Sequence, residues 1–267
     1  MRLKVAMLGL VVCVGLAALP AGAVTTMTDL NSTAVIDETT QTGMFTWTVD
    51  GVDQMFQQWF WYRVGANGGE SSIDTLGLVS AASTGRTAEL VYSNGILSVD
   101  IAYTLTGGTP GSGTSDIAET IRIINLGRTA LDMHFFQYSD FDLNGQIGGQ
   151  TVLIEHGDEA EQSGAGLLMS ETIVTSDPEH FEAGVYANTL VSLDDGSPTT
   201  LNDNALAQGD CTWAFQWDFD LAAGGSFLIS KDKNISPVPE PLTMVSAFLA
   251  ISSLGMYIRR RTAVKAA

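Results

Sequence analysis

The chain has 267 residues, and its 30 acidic residues outnumber the 12 lysines and arginines, so the formal charge at pH 7 is −18. So few basic side chains cannot neutralise many phosphates, and two cysteines cannot build a disulfide framework, which excludes nucleic-acid binders and disulfide scaffolds. With 45% hydrophobic and 16% charged residues, the chain also lacks the composition of a disordered protein, and we expect it to fold.

The N-terminus has the three parts of a secretory signal. Two basic residues precede an apolar run over residues 5–19, and the small residues Ala21 and Ala23 follow it. This order predicts that signal peptidase removes residues 1–23. The alternative is an uncleaved membrane anchor, but the apolar run is short for a bilayer span.

Residues 24–235 are predicted to form one exported domain, because no Pro-rich or charge-rich linker interrupts them. All acidic residues except Glu240 lie in this segment, so its surface should repel anionic polymers and attract divalent cations and cationic polymers. Removal of the signal leaves Cys211 as the single cysteine, which we expect to be a small packing residue beside Trp213.

Alternation with a period of two residues is the main structural signal in this segment. Residues 99–105 place large apolar side chains at odd positions, and residues 213–221 do the same with Trp, Phe and Leu. Asn94 and Gly95 form a hairpin-turn pair between two such runs. The pattern predicts an all-β fold, an antiparallel β-sandwich or jelly roll with little helix. The predicted core includes Phe45, Trp47, Val99, Ile101, Tyr103, Ile121, Ile123, Trp213, Phe215 and Trp217.

Two tryptophans suggest a carbohydrate platform. Trp59 and Trp61 lie in a run, 57–63, whose aromatic residues fall on both strand faces. One face must then be exposed or be covered by another layer of the protein. If it is exposed, these rings are candidates for stacking on a glycan.

An acidic turn is a candidate calcium loop. Asp140, Asp142 and Asn144 supply oxygen ligands at alternate positions, and a glycine follows at the sixth position. The twelfth position lacks the carboxylate of an EF-hand, so Glu155 or Asp158 would have to supply the remaining oxygens. The alternative is a turn that is merely rich in Asp and Asn. No other cofactor is predicted.

The C-terminus consists of a short motif, an apolar run and a basic cluster. The motif is Val238, Pro239, Glu240 and Pro241. Residues 242–258 carry no charge and are long enough for a short transmembrane helix. The three arginines that follow, within 259–267, hold that end in the cytoplasm by the positive-inside rule. They are Arg259, Arg260 and Arg261.

This tail, over residues 236–267, resembles the PEP-CTERM sorting signal of exosortase substrates. The resemblance implies a bacterium with an outer membrane and a membrane-embedded exosortase that cleaves near the motif. It also implies that the protein is held in the inner membrane only transiently and then reaches the cell surface or the extracellular matrix. An ordinary single-pass tail anchor would use the same residues without cleavage.

Signatures of enzymes are missing from the sequence. It has no Gly-x-Ser-x-Gly elbow, zincin helix or phosphate-binding glycine loop, and its histidines are isolated from one another. We therefore predict a non-catalytic surface or matrix protein with a structural or interaction role. The alternatives are a module that binds exopolysaccharide and, less favoured, a glycan hydrolase.

Overall fold

The computed structural model describes residues 24–238, which form eighteen β-strands, one α-helix and two short 3₁₀ helices. The 3₁₀ helices span Ile73–Leu76 and Leu143–Gly145, and α1 spans Asn188–Asp194. The strands are β1 (Val24–Asp29), β2 (Ser32–Asp37), β3 (Gly43–Val49), β4 (Val52–Asp53), β5 (Gln57–Val64), β6 (Ser71–Ser72), β7 (Leu78–Thr84), β8 (Thr87–Ser93), β9 (Leu97–Gly107), β10 (Ser115–Asn125), β11 (Leu131–Asp140), β12 (Gln150–Glu155), β13 (Glu159–Gly164), β14 (Leu167–Thr175), β15 (His180–Val185), β16 (Leu206–Gly209), β17 (Cys211–Leu221) and β18 (Ser226–Pro237).

The strands form two nine-stranded sheets. The first sheet has the order β1-β2-β3-β5-β11-β17-β15, with β4 and β6 as short additions, and the second has the order β16-β12-β13-β14-β18-β10-β9-β8-β7. All pairings are antiparallel except a short parallel contact between β3 and β5. The all-β, antiparallel prediction is therefore confirmed. The predicted turn also forms: Gly95 has φ +83° between β8 and β9, which glycine tolerates without strain.

The two sheets pack face to face over a shared core. The indole N–H of Trp47 in the first sheet donates to Ser115 Oγ of the second at 2.9 Å. Farther along, the indole N–H of Trp213 donates to Glu171 Oε2 of β14 at 2.8 Å. Nine of the predicted core residues are buried. They are Trp47, Val99, Ile101, Tyr103, Ile121, Ile123, Trp213, Phe215 and Trp217.

Phe45 is the exception, and its prediction as a core residue is wrong. Val35 pairs with Thr46 and the next residue, Ile36, pairs with Met44, so Phe45 is the extra residue of a β-bulge. A bulge turns the extra side chain away from the regular alternation. Met44 is buried, and Phe45 is half-buried at the edge of a cavity.

Strand β17 is buried on both faces, although its alternation predicts one exposed face. Every residue from Cys211 to Trp217 is buried, including the polar Thr212 and Gln216. A layer outside the first sheet covers the second face: the Leu201 N–H donates to Gln216 Oε1 at 2.9 Å. Cys211 is a free, buried cysteine, as predicted.

The ends of the described region bear on the predicted processing signals. Strand β18 continues to Pro237, two residues beyond the predicted end of the domain, and the Val238 N–H donates to the Gly166 carbonyl at 2.9 Å. Within residues 24–238, no helix is both long enough and apolar enough to cross a bilayer.

The predicted signals themselves lie outside the described residues. These are the signal peptide 1–23 with Ala21 and Ala23, the rest of the motif (Pro239, Glu240 and Pro241), the predicted span 242–258, and Arg259, Arg260 and Arg261.

Candidate functional site

Three carboxylates converge at one end of the first sheet, and we refer to them as the acidic triad. Asp140 ends β11, Asp142 follows two residues later, and Asp210 directly precedes β17. Asp140 pairs with Thr212, so the end of β11 lies beside the start of β17. One oxygen atom from each of the three carboxylates lies within 4.8 Å of the other two.

Backbone hydrogen bonds hold two aromatic residues beside the triad. The Phe56 N–H donates to the Asp140 carbonyl at 3.0 Å, and the Tyr186 N–H donates to the Asp210 carbonyl at 3.0 Å. The side chain of Asp140 is itself oriented by the Tyr138 hydroxyl, which donates to Oδ2 at 3.2 Å. The sheet therefore fixes both the carboxylates and the aromatic residues that flank them.

The two flanking rings are exposed and contact each other. Phe56 and Tyr186 have 49% and 44% of their surface exposed, and their ring centroids lie 5.7 Å apart at nearly a right angle. A cavity of about 180 Å³ is lined by these rings, the triad and Ile147. A second cavity, of about 540 Å³, shares Phe56 and Asp142 with the first and extends past Phe45. Together these two cavities form what we term the acidic cleft.

Burial and mutual repulsion change the protonation of the triad. Burial, with the charges of Asp142 and Asp210, raises the pKa of Asp140 to about 7. Burial and then Asp210 and Asp53 also raise the pKa of Asp142. At neutral pH, Asp140 therefore carries a proton in a large fraction of molecules, beside carboxylates that are more exposed. Such a group can donate a proton, and a divalent cation would displace that proton.

The structure brings together only part of the predicted calcium loop. Asp140 and Asp142 belong to the triad, but the Asn144 amide nitrogen donates to the Ala165 carbonyl at 2.9 Å, and its backbone N–H donates to Gln54. Neither Glu155 nor Asp158 belongs to the triad. Asp210 takes their place, and sequence reasoning missed it because only the pairing of β11 with β17 makes it a neighbour of Asp140.

The prediction that Trp59 and Trp61 stack on a glycan is wrong, because both side chains are fully buried. The Trp59 indole N–H donates to Ser72 Oγ at 2.9 Å, and the Trp61 indole N–H donates to Asp194 Oδ1, at the end of α1, at 3.0 Å. Both rings are thus held by segments of the protein itself. The exposed aromatic residues of the cleft, Phe56 and Tyr186, were not singled out by the sequence.

Two histidines that are isolated in the sequence have carboxylate partners in the fold. His134 Nδ1 lies 2.6 Å from Asp218 Oδ1, and His180 Nδ1 lies 3.1 Å from Asp203. Neither histidine lines the two cavities of the acidic cleft. Asp218 lies on β17 and Asp203 in the loop that precedes β16, and neither histidine belongs to the triad.

Sequence comparison finds no relative: no protein-family model matches the chain, and no curated protein has a matching sequence. Solved structures do resemble it. A putative aldose 1-epimerase from Escherichia coli K12 has a TM-score of 0.52 at 11% identity, over 81% of this chain and 99% of that one. An aldose epimerase homologue from C. elegans has a TM-score of 0.50 at 8% identity, over 81% of this chain and 100% of that one.

A bacterial glucoamylase complexed with acarbose has a TM-score of 0.56 at 8% identity, over 90% of this chain but only 36% of the glucoamylase. The chain thus spans about a third of that enzyme. At these identities the likeness shows the fold alone. The prediction of a non-catalytic protein rested on the missing motifs, and these neighbours contradict it, because the structures that share the fold include aldose epimerases and a glucoamylase.

Proposed function

We propose that the chain is an exported, exosortase-sorted surface protein that binds carbohydrate in the acidic cleft. The observation that carries the proposal is the exposed pair Phe56 and Tyr186 directly beside the acidic triad. Aromatic rings pack against the apolar C–H faces of sugars, and carboxylates accept hydrogen bonds from sugar hydroxyls. The cleft offers both kinds of contact within a concave surface, which is typical of small-ligand sites.

The charge of the chain restricts the class of glycan. A formal charge of −18 repels uronate-rich and other anionic polysaccharides, especially from a cleft whose polar groups are carboxylates. We therefore propose a neutral or amino-sugar polymer as the ligand. Such a polymer in the exopolysaccharide matrix would also agree with the destination that the sorting tail implies.

A second candidate function is the interconversion of sugar anomers. Asp140, with its raised pKa, would give a proton to the ring oxygen while ionised Asp142 or Asp210 takes the proton of the anomeric hydroxyl. The ring opens, and the reverse transfers close it on the other face. The triad places a protonated and an ionised carboxyl group within reach of one sugar ring, because one oxygen from each carboxylate lies within 4.8 Å of the other two.

Calcium binding stays a proposal for the same carboxylates, with Asp210 in place of Asn144. The triad supplies three of the six to eight oxygens that Ca²⁺ takes, and water or sugar hydroxyls would supply the others. A bound cation would remove the proton from Asp140. Asp140 therefore cannot ligate calcium and act as a proton donor at the same time.

The binding proposal is tested by titrating neutral, cationic and anionic polysaccharides onto the protein and its Phe56→Ala and Tyr186→Ala variants. Loss of either ring should weaken binding at least about tenfold, equivalent to roughly 1.4 kcal/mol. Val174→Ala is the matched control, because Val174 is 67% exposed on β14 and lines neither cavity of the cleft. Binding that survives both ring deletions, or is restricted to anionic polymers, would contradict the proposal.

A further inference from the structure

Four charged side chains are enclosed between the two sheets, and we refer to them as the four-charge cluster. Glu119 projects from β10, Glu171 from β14, and Lys231 and Lys233 from β18. None of the four side chains is more than 1% exposed. Charges in such a position are expensive to desolvate, and they persist only when they are well paired.

The distances within the four-charge cluster are short. Lys231 Nζ lies 3.0 Å from Glu119 Oε2 and 3.2 Å from Glu171 Oε1. Lys233 Nζ lies 2.5 Å from the same Glu119 oxygen and 3.6 Å from Glu171 Oε1. Lys231 is also directly opposite Glu119 in the register of β10 and β18, so the two backbones hold these side chains together.

The carboxylates of Glu171 and Glu119 differ in the hydrogen bonds that they accept. Glu171 accepts hydrogen bonds from the Gln137 amide on both oxygens, at 2.7 and 2.8 Å, and from the Trp213 indole N–H at 2.8 Å. In contrast, Glu119 Oε1 has no well-aligned hydrogen bond, and neither does the hydroxyl of Tyr103, which is opposite Glu119 in the register of β9 and β10, or the Lys231 ammonium. Buried polar atoms without partners are rare in folded proteins and need an explanation.

Burial and the neighbouring charges shift the pKa values of the cluster. Burial lowers the pKa of Lys231 to about 8, although Glu119 opposes the shift. Burial alone would raise the pKa of Glu171, but the ammonium groups of Lys233 and Lys231 outweigh it and hold that pKa at about 2. Desolvation next to a second cation is a known way to make a lysine amine nucleophilic. Glu171 therefore stays ionised at neutral pH. Burial would lower the pKa of Lys233, but the charges of Glu119 and Glu171 outweigh it and raise that pKa.

We propose that Lys231 and Glu119 condense to an intramolecular amide that covalently joins β18 to β10. Lys231 gives a proton to Glu119 Oε2, which lies 3.0 Å away, and its Nζ then attacks Cδ of the resulting carboxyl group. The attacking nitrogen passes a second proton to the same oxygen, relayed by the Lys233 ammonium that lies 2.5 Å from it. The Cδ–Oε2 bond breaks, and that oxygen leaves as water with two of the three ammonium protons. Glu119 Oε1 becomes the amide oxygen, and no oxidant or other reactant is required.

Two physical effects favour this reaction. The fixed register gives the amine and the carboxyl a high effective concentration. The product is neutral, so the protein no longer has to keep that ammonium and carboxylate in a dry interior. The bond would also have a mechanical use, since β18 leads directly to the C-terminal residues 239–267 and the described region has a single cysteine.

The test is the mass of the purified full chain, measured by electrospray after denaturation and reduction. We expect a mass lower by one water than the sequence between the observed termini requires. Cyclisation of Asp195 onto Gly196 would remove a water as well, so a protease digest must also yield a branched fragment that joins the segments containing Glu119 and Lys231. An unshifted mass of the native chain, or a deficit that maps elsewhere, would overturn the proposal.

Variants assign the roles within the cluster. Lys231→Met should restore the full sequence mass. Glu171→Gln should leave much of the chain unjoined, because it removes the carboxylate that lies 3.2 Å from Lys231 Nζ and 3.6 Å from Lys233 Nζ and holds both amines in place. If Lys231→Met does not fold, fragmentation of the native chain still decides the issue, since it identifies the joined residues directly. A water deficit that persists in a folded Lys231→Met variant would refute the assignment.

Discussion

Replacing Trp213 by Phe is expected to cost more stability than the same change at Trp217. Both tryptophans lie on β17, and both are fully buried. Each indole N–H donates one hydrogen bond of 2.8 Å, but Trp213 donates to the Glu171 carboxylate and Trp217 donates to the Ser176 carbonyl. The two substitutions therefore remove the same atoms and differ chiefly in the charge of the acceptor.

The expected difference in the free energy of unfolding follows from the charge of the hydrogen-bond acceptor. A hydrogen bond to a charged group contributes about 1.5–3 kcal/mol, whereas a neutral one contributes about 0.5–1.5 kcal/mol. The cavity that Phe leaves is similar at both positions, so its cost largely cancels. We expect Trp213→Phe to be more destabilising by about 1 kcal/mol. Trp213→Ala, which also removes the ring stacked on Phe141 at 5.2 Å, should cost about 3–5 kcal/mol or more.

Equilibrium unfolding in urea, followed by far-ultraviolet circular dichroism, measures these differences without relying on tryptophan fluorescence. With a slope of about 2 kcal/mol per molar urea, 1 kcal/mol separates the two midpoints by about 0.5 M. Equal midpoints for the two Phe variants, or a lower one for Trp217→Phe, would refute the reasoning. The buried carboxylate of Glu171 would then not depend on the indole donor.

Three further predictions concern the acidic triad and the tail. Burial raises the pKa of Asp140 from 3.8 to about 7, so protonation of this side chain stabilises the fold fully below pH 3.8, and that stabilisation is lost as the pH rises through 7. The melting temperature of Asp140→Asn should lack this decline with pH. If the triad binds calcium, one ion should saturate it and raise the melting temperature, and the double variant Asp140→Asn with Asp142→Asn should lose this effect. An equal rise in melting temperature for the parent and the double variant would instead indicate a general effect of surface charge. Surface material should lack residues 259–267 by intact mass, and Glu240→Ala should impair that processing without unfolding the domain; mature protein that retains the arginines would exclude cleavage.

The sequence by itself determined the fold class and much of the core. Alternation is a local property, so it could be recognised in residues 99–105 and 213–221 without knowing what they pair with. The hairpin at Asn94 and Gly95 was equally predictable, since the turn depends on two adjacent residues. Sequence alone also provided the hypotheses about export and sorting, because such signals are short and contiguous.

Tertiary structure decided which strand faces are exposed and which distant residues meet. Trp59 and Trp61 could be a platform or a core pair, and segments 13 and 133 residues away in the chain bury them. Asp210 became a neighbour of Asp140 only through the register of β11 with β17. Such pairings join residues that are distant in the chain, so no local pattern encodes them.

The same limit applies to Lys231. In the sequence it is one of a few basic residues in an acidic chain, and such residues are normally solvated. Only the packing of β18 between β10 and β14, under the first sheet, places its ammonium in a dry interior beside Glu119 and Glu171. Local sequence pattern determines strand or turn, whereas burial, proton affinity and reactivity depend on what the rest of the chain places around each side chain.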